Sequence, residues 1–265
     1  MTSMMIGNNE IPYEETGKGQ AVLLLPGWCQ DHRLFKRLVP LLAANYRVIS
    51  LDWRGHGPDR SYDGDFTIDD QADDVVAFVD ALGLDSVIPV STSHGGWANI
   101  EVCQRLGAAR APKSVVIDWL MIDPGETFLK LLEDLQIEEN WIRGRKGFFE
   151  TWVVNTDNQD VIDHVNNEMA SFDFEMWARS GREILKAYRQ WGYPLNRLAD
   201  VSPRRKITHI FSQPHDPAYK TAQDAFAREN DWFVPQKIEG TTHFPTLESP
   251  ALVARLIDDF IKDGM

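Results

Sequence analysis

At 265 residues the chain suits one domain with an insertion, or two small domains, and is long enough to bury a sizeable core. Its 43% hydrophobic and 25% charged residues are ordinary for a globular protein, and a net charge of −13 argues against nucleic acid or anionic lipid as the main partner. No apolar segment approaches the ~18 residues of a membrane span, Met1 to Glu15 lacks the pattern of a signal peptide, and the two cysteines, Cys29 and Cys103, fit reduced structural thiols in a cytoplasmic protein.

In chain order, Ala21 to Leu25 reads as a strand buried on both faces, stopped by Pro26-Gly27. Leu34 to Ala44 has helical spacing, and Arg47 to Leu51 is the next strand. Thr67 opens a helix with Asp70 as its capping-box partner. Ile68, Ala72, Val75, Val76 and Val79 form its buried stripe, and Gly83 ends it. Val87 to Ser91 is a strand in which Pro89 predicts a bulge; Trp97 to Leu106 is a helix; Ser114 to Ile117 is a strand ending at Asp118. This alternation defines an α/β protein with a mostly parallel central sheet and functional groups at the carboxyl ends of its strands.

From Met121 to Asp200 the pattern is helical throughout, with helices over Phe128–Leu135, Trp141–Val154, Val161–Met169 and Phe174–Trp191. Strands then return at Lys206–Phe211 and Trp232–Ile238, with helices at Tyr219–Glu229 and Pro250–Asp263. Residues 1–120 and 201–265 are therefore expected to form the core domain, and 121–200 a helical cap. Many of the nine tryptophans fall between Trp119 and Trp191, in and around that cap.

The run Ser91-Thr-Ser-His-Gly95 between a strand and a helix has the small-X-Ser-X-small layout of a nucleophile elbow, with Ser93 at its tip. His243, in the loop before the last helix, is the candidate base. Ser, acid, His is the chain order of α/β-hydrolase triads. The acid is either Asp118, after the strand that follows the elbow, or Asp216, after the next one. Asp216 before Pro217 also suits a turn. The amides of Trp28, in Pro26-Gly27-Trp28, and of His94 stand where this fold builds an oxyanion hole. A serine esterase is the direct reading of that constellation, and a ligand receptor without turnover is a second. The chain has no P-loop, no HExxH and no CxxC.

A more specific resemblance runs from about residue 20 to 245. It is carried by Pro26-Gly-Trp-Cys-Gln-Asp-His32, Trp53-Arg-Gly-His-Gly57, Ser93-His-Gly-Gly-Trp97, Asp118-Trp-Leu120, Arg179-Ser-Gly-Arg182, Ile210-Phe-Ser-Gln-Pro214 and Thr242-His-Phe-Pro245. These resemble the cofactor-independent 3-hydroxy-4(1H)-quinolone 2,4-dioxygenases of the α/β-hydrolase fold. The resemblance implies cleavage of the quinolone ring by O2, release of carbon monoxide and an N-acylanthranilate, and no metal, flavin or other cofactor. It implies that His243 and Asp118 remove the substrate's 3-hydroxyl proton, and that Ser93 orients substrate without forming an acyl-enzyme. The amides of Trp28 and His94 would hold a carbonyl oxygen, and Trp141, Trp152 and Trp177 are candidate liners. Members of that family carry histidine where this chain has Gln30 and Thr92, which points to a pocket altered around the ring. A 2-alkyl quinolone signal, such as the 2-heptyl compound, is the expected substrate.

Overall fold

The computed structural model describes residues 1–58, 60, 62, 64–153 and 155–263. An eight-stranded sheet runs through it in the order β1-β2-β4-β3-β5-β6-β7-β8. The strands are β1 (Thr2–Ile6), β2 (Asn9–Thr16), β3 (Ala21–Leu25), β4 (Arg47–Leu51), β5 (Val87–Thr92), β6 (Lys113–Ile117), β7 (Lys206–Phe211) and β8 (Phe233–Lys237). β1, β2 and β4 pair antiparallel, and the remaining neighbours pair parallel.

The centre of the sheet follows from its apolar runs. All five residues of β3 are buried, Val22 and Leu24 into one core and Ala21, Leu23 and Leu25 into the other. A strand with no polar face needs cover on both sides. The helices among the described residues are α1 (Val39–Leu42), α2 (Ile68–Ala81), α3 (Gly95–Arg110), α4 (Gly125–Asp134), α5 (Trp141–Val153), α6 (Gln159–Asp163), α7 (Phe174–Trp191), α8 (Pro194–Ala199), α9 (Pro217–Glu229), α10 (Pro245–Glu248) and α11 (Pro250–Lys262). α2 and α3 pack on one face through Ala72, Val75, Phe78, Val79, Ala98 and Val102. The expected capping box closes the start of α2, with Asp70 and Thr67 satisfying each other's amides.

Several expectations are corrected. The bulge expected at Pro89 is not formed: β5 keeps one-for-one register with β3, Leu23 opposite Pro89, and β6 joins only from Val90 onward. The helix expected over 34–44 is a 3-10 turn, His32–Phe35, followed by the single turn of α1, because Pro40 cannot donate into a helix begun before it. The helix expected over Val161–Met169 is α6, then a π turn over His164–Glu168 and a 3-10 turn over Met169–Ser171. β1 and β2 form an edge hairpin that the sequence pattern does not announce. Only Ile11 of the pair is buried, so there is no apolar run to read. Val154, the last residue of the helix expected from Trp141, lies outside the described residues.

Between β6 and β7, α4 to α8 form the helical segment seen in the sequence pattern. The floor of the site comes from strand ends and its walls from this segment, whose side chains share one cavity with Ser93 and His243.

Candidate active site

Ser93 sits at φ +48° between β5 and α3, the strained turn expected of an elbow. The turn is possible because its flanks are small. A Cβ on Gly95 would lie 2.3 Å from the carbonyl oxygen of Pro26. Ser91 is buried, with its hydroxyl taken up by Asn99 at 2.8 Å. The bare Gly95 backbone lets the Pro26–Trp28 loop press against the elbow, and Trp28 and His94 both line the cavity. Among the described residues neither amide donates to a protein acceptor.

His243 meets both expected partners. Its Nε2 lies 2.9 Å from Ser93 Oγ and its Nδ1 2.9 Å from Asp118 Oδ1. A carboxylate only accepts, so Asp118 holds the proton on Nδ1 and leaves the Nε2 lone pair facing the Ser93 hydroxyl. Asp118, like Ser93, has positive φ, +46°. Burial works to raise its pKa, but hydrogen bonds from His243 and Ser212 outweigh that and hold it below the ordinary carboxylate value. The second oxygen, Oδ2, accepts from the Ser212 amide at 2.7 Å and the Gln213 amide at 3.2 Å, and lies 2.6 Å from Ser212 Oγ. Of the two candidate acids, the geometry selects Asp118. Asp216 is exposed and caps α9 by accepting from the Ala218 amide at 2.8 Å.

The cavity above these groups has a volume of about 200 Å³. Trp28, Trp119, Trp152 and Trp177 line it together with Phe128 and Phe148, and Leu132, Leu135 and Ile184 add aliphatic wall. Of the three candidate cap tryptophans, Trp152 and Trp177 line the cavity. Trp141 does not: it packs on Phe174 with ring centres 6.0 Å apart and carries the Arg145 guanidinium over its face. The Trp28 ring stacks on Phe66, 5.4 Å between centres and 8° between planes, which fixes the loop that presents its amide. The next amide in that loop, Cys29, donates to His56 Nε2 at 3.1 Å. Gln30 reaches the cavity and braces its rim: Oε1 accepts from the Gly27 amide at 2.9 Å and from Thr92 Oγ1 at 3.3 Å.

Three further residues organise the site and were given no role from sequence. Ser212 supports Asp118, as above. Glu248 grips the His243 loop, taking the Thr241 amide on one oxygen at 2.8 Å and the Thr242 amide on the other at 3.0 Å. Trp119 donates from its indole to His94 Nδ1 at 3.1 Å. Trp119 and Ser212 lie inside quoted motifs, but their partners are distant in sequence and only the fold reveals them. No helix of the described residues is long and apolar enough to cross a membrane.

An imidazole oriented by a carboxylate, a serine hydroxyl and two free amides around a mostly apolar cavity can take a proton and hold the resulting anion. The model of the alpha/beta hydrolase family matches residues 22–256, and the chain belongs to that family. Within it, the chain is 46% identical to the 1H-3-hydroxy-4-oxoquinoline 2,4-dioxygenase of Pseudomonas putida, covering 99% of this chain and 100% of that one. It is 41% identical to a 2-heptyl-3-hydroxy-4-quinolone dioxygenase of Rhodococcus erythropolis, over 99% of this chain and 95% of the relative. A solved structure of a dioxygenase variant with its substrate, the Pseudomonas quinolone signal, superposes with a TM-score of 0.95 at 38% identity, covering 98% of both chains. The branch to which the chain belongs is thus that of the quinolone 2,4-dioxygenases, ring-cleaving oxidoreductases built on a hydrolase fold.

Proposed function

We propose that this protein cleaves a 2-alkyl-3-hydroxy-4(1H)-quinolone with O2 and without a cofactor, releasing carbon monoxide and an N-acylanthranilate. The reading rests on membership of the quinolone dioxygenase branch, and the Asp118–His243–Ser93 chain of hydrogen bonds, 2.9 Å at each histidine nitrogen and opening into an aromatic cavity, supplies its base. His243 Nε2 takes the 3-hydroxyl proton, directly or through Ser93 Oγ, and Asp118 stabilises the imidazolium. The Trp28 and His94 amides hold an oxygen of the anion.

The substrate anion supplies the electrons that a cofactor would otherwise bring to O2. O2 adds at C2, the distal oxygen closes onto C4, and the cyclic peroxide opens with loss of C3 as carbon monoxide. Both oxygen atoms of O2 remain in the N-acylanthranilate, so the step needs no external reductant. The helical segment 121–200 acts as a cap that keeps water from the intermediate. Leu132, Leu135 and Ile184 offer an apolar seat for a 2-alkyl chain. The buried, unpaired Cys29 and Cys103 fit the reducing cytoplasm.

The ring substituent is tested by comparing kcat/KM for the unsubstituted, 2-methyl and 2-heptyl rings. The proposal expects the 2-heptyl compound to be preferred, and a preference for the unsubstituted ring would overturn that part of it.

A further inference from the structure

Two histidines face the cavity, and the proposed chemistry uses the side chain of only one. His94 contributes its amide through the elbow, yet its imidazole is half-buried and also lines the cavity. Its Nδ1 is occupied, because the Trp119 indole N–H, which can only donate, meets it at 3.1 Å. A neutral imidazole that accepts at Nδ1 carries its proton on Nε2. Among the described residues Nε2 meets no protein acceptor.

We propose that the His94 side chain donates a hydrogen bond from Nε2–H to the oxygen edge of the bound anion, and that Trp119 is the positioning residue that fixes this tautomer and ring orientation. The inference rests on reading the cavity as the quinolone site. It adds a side-chain donor to the two backbone amides of Trp28 and His94.

Trp119 is held for such a task on every side. Its amide donates to His209 Nε2 at 3.1 Å, and its carbonyl accepts from the Tyr219 hydroxyl. One face of the indole rests on Gly96, where a Cβ would come within 2.3 Å of the ring. Trp97 meets it edge-on, 4.9 Å between centres. The T-shaped approach of His94 to Trp119, 85° between planes, aims the indole N–H at the imidazole edge. Without that bond the imidazole can turn over and present carbon to the cavity.

The two histidines are thereby given different work. His243 has a carboxylate at Nδ1 and an open lone pair at Nε2, the arrangement of a base. His94 has a donor at Nδ1 and no carboxylate, the arrangement of a neutral donor. Burial and the nearby His243 push the His94 pKa down to about 3, so it stays neutral while His243 accepts a proton. A neutral donor suits the reaction. It holds the anion without returning a proton to it, and it draws less electron density away from the ring than a cation would.

The test uses 15N-histidine-labelled protein and 3-hydroxy-4-quinolone under argon, so that binding is read without turnover. In the ligand-free protein His94 should show one tautomer, with Nε2 protonated, and its Nε2–H signal should shift downfield when the quinolone binds. His94→Phe keeps the ring and the backbone amide, and should weaken anaerobic binding about tenfold, the loss expected for one hydrogen bond to an anion. Trp119→Phe should weaken binding several-fold and give His94 mixed tautomer signals. An Nδ1–H tautomer in the parent protein overturns the proposal, as does a folded His94→Phe variant that binds as tightly as the parent. If Trp119→Phe fails to fold, the parent tautomer and His94→Phe still decide. Failure of the parent to bind any 3-hydroxy-4-quinolone would instead sink the quinolone reading, and is distinguished by the tautomer of the ligand-free protein.

Discussion

The indole of Trp152 lies face to face with the imidazole of His243, ring centres 5.3 Å apart and planes 16° from parallel. One ring comes from the helical segment and the other from the loop before α10, so this stack ties the cover of the cavity to its base. A neutral imidazole gains only contact area from such a partner. The imidazolium formed on taking a proton gains a cation–π attraction as well, about 0.5 to 2 kcal/mol. Trp152 is therefore expected to stabilise the product of the proton transfer more than the resting state.

Trp152→Ala should lower kcat/KM by about tenfold and weaken anaerobic formation of the quinolone anion, whereas Trp152→Phe should keep most of both. Steady-state kinetics and titration of the anion's absorbance under argon check this. Equal activity in the alanine variant would remove Trp152 from the account.

Asp118 and Asp216 should separate cleanly. Asp118→Asn preserves volume but no longer holds the Nδ1 proton of His243, and should cost on the order of 10² to 10⁴ in kcat/KM. Asp216→Ala removes a helix cap and should cost about 1 kcal/mol of stability with activity unchanged. Kinetics and denaturant melts of the two variants measure both effects.

Ser93→Ala discriminates the chemistry of the elbow. If the hydroxyl only orients substrate and passes a proton, turnover of the quinolone should remain substantial. A serine nucleophile would lose about 10⁴-fold or more. An acyl adduct on Ser93, trapped with true substrate and seen by mass spectrometry, would count against the proposed mechanism.

Stability should fall in mild acid. Burial pushes the pKa of His56 down to about 4, of His94 to about 3 and of His209 to about 4, each against about 6.5 when unfolded. Below pH 6.5 the unfolded chain takes up protons that these folded sites refuse. Their contribution is therefore complete above that pH and is lost as pH falls toward 4, at about 1.4 kcal/mol per pH unit for each histidine. His32 works in the opposite direction and offsets part of this. Burial lowers its pKa, but its pairing with Asp52 outweighs that and raises it. Denaturant melts at pH 7, 6 and 5 should show declining stability, with a shallower slope in His209→Gln. A flat profile would contradict the assignment of neutral buried histidines.

The central strands were legible because β3, β5 and β6 are short apolar runs bounded by turns, and burial on both faces leaves just that trace. The β1–β2 hairpin was not, because an edge that buries only Ile11 has no periodic stripe to detect. Ser93, His243 and Asp118 could be found by their places after strands, since the elbow needs small flanks and the fold sets the chain order of the other two. Chain order alone leaves Asp118 and Asp216 open, and the geometry separates them: one carboxylate meets His243 at 2.9 Å, and the other caps a helix. The roles of Trp119, Ser212 and Glu248 were hidden because each is defined by a partner that only the folded chain brings near. Trp141 is an aromatic residue of the right type on a helix that packs it on Phe174 rather than in the cavity.

The most direct test of the whole account is turnover of a 3-hydroxy-4-quinolone by metal-stripped protein, in air and under argon, with O2 and carbon monoxide both measured. Cleavage by O2 without a cofactor predicts one O2 consumed and one carbon monoxide released per ring cleaved in air, and no cleavage under argon. Equal turnover under argon, or ring cleavage without carbon monoxide, would contradict it.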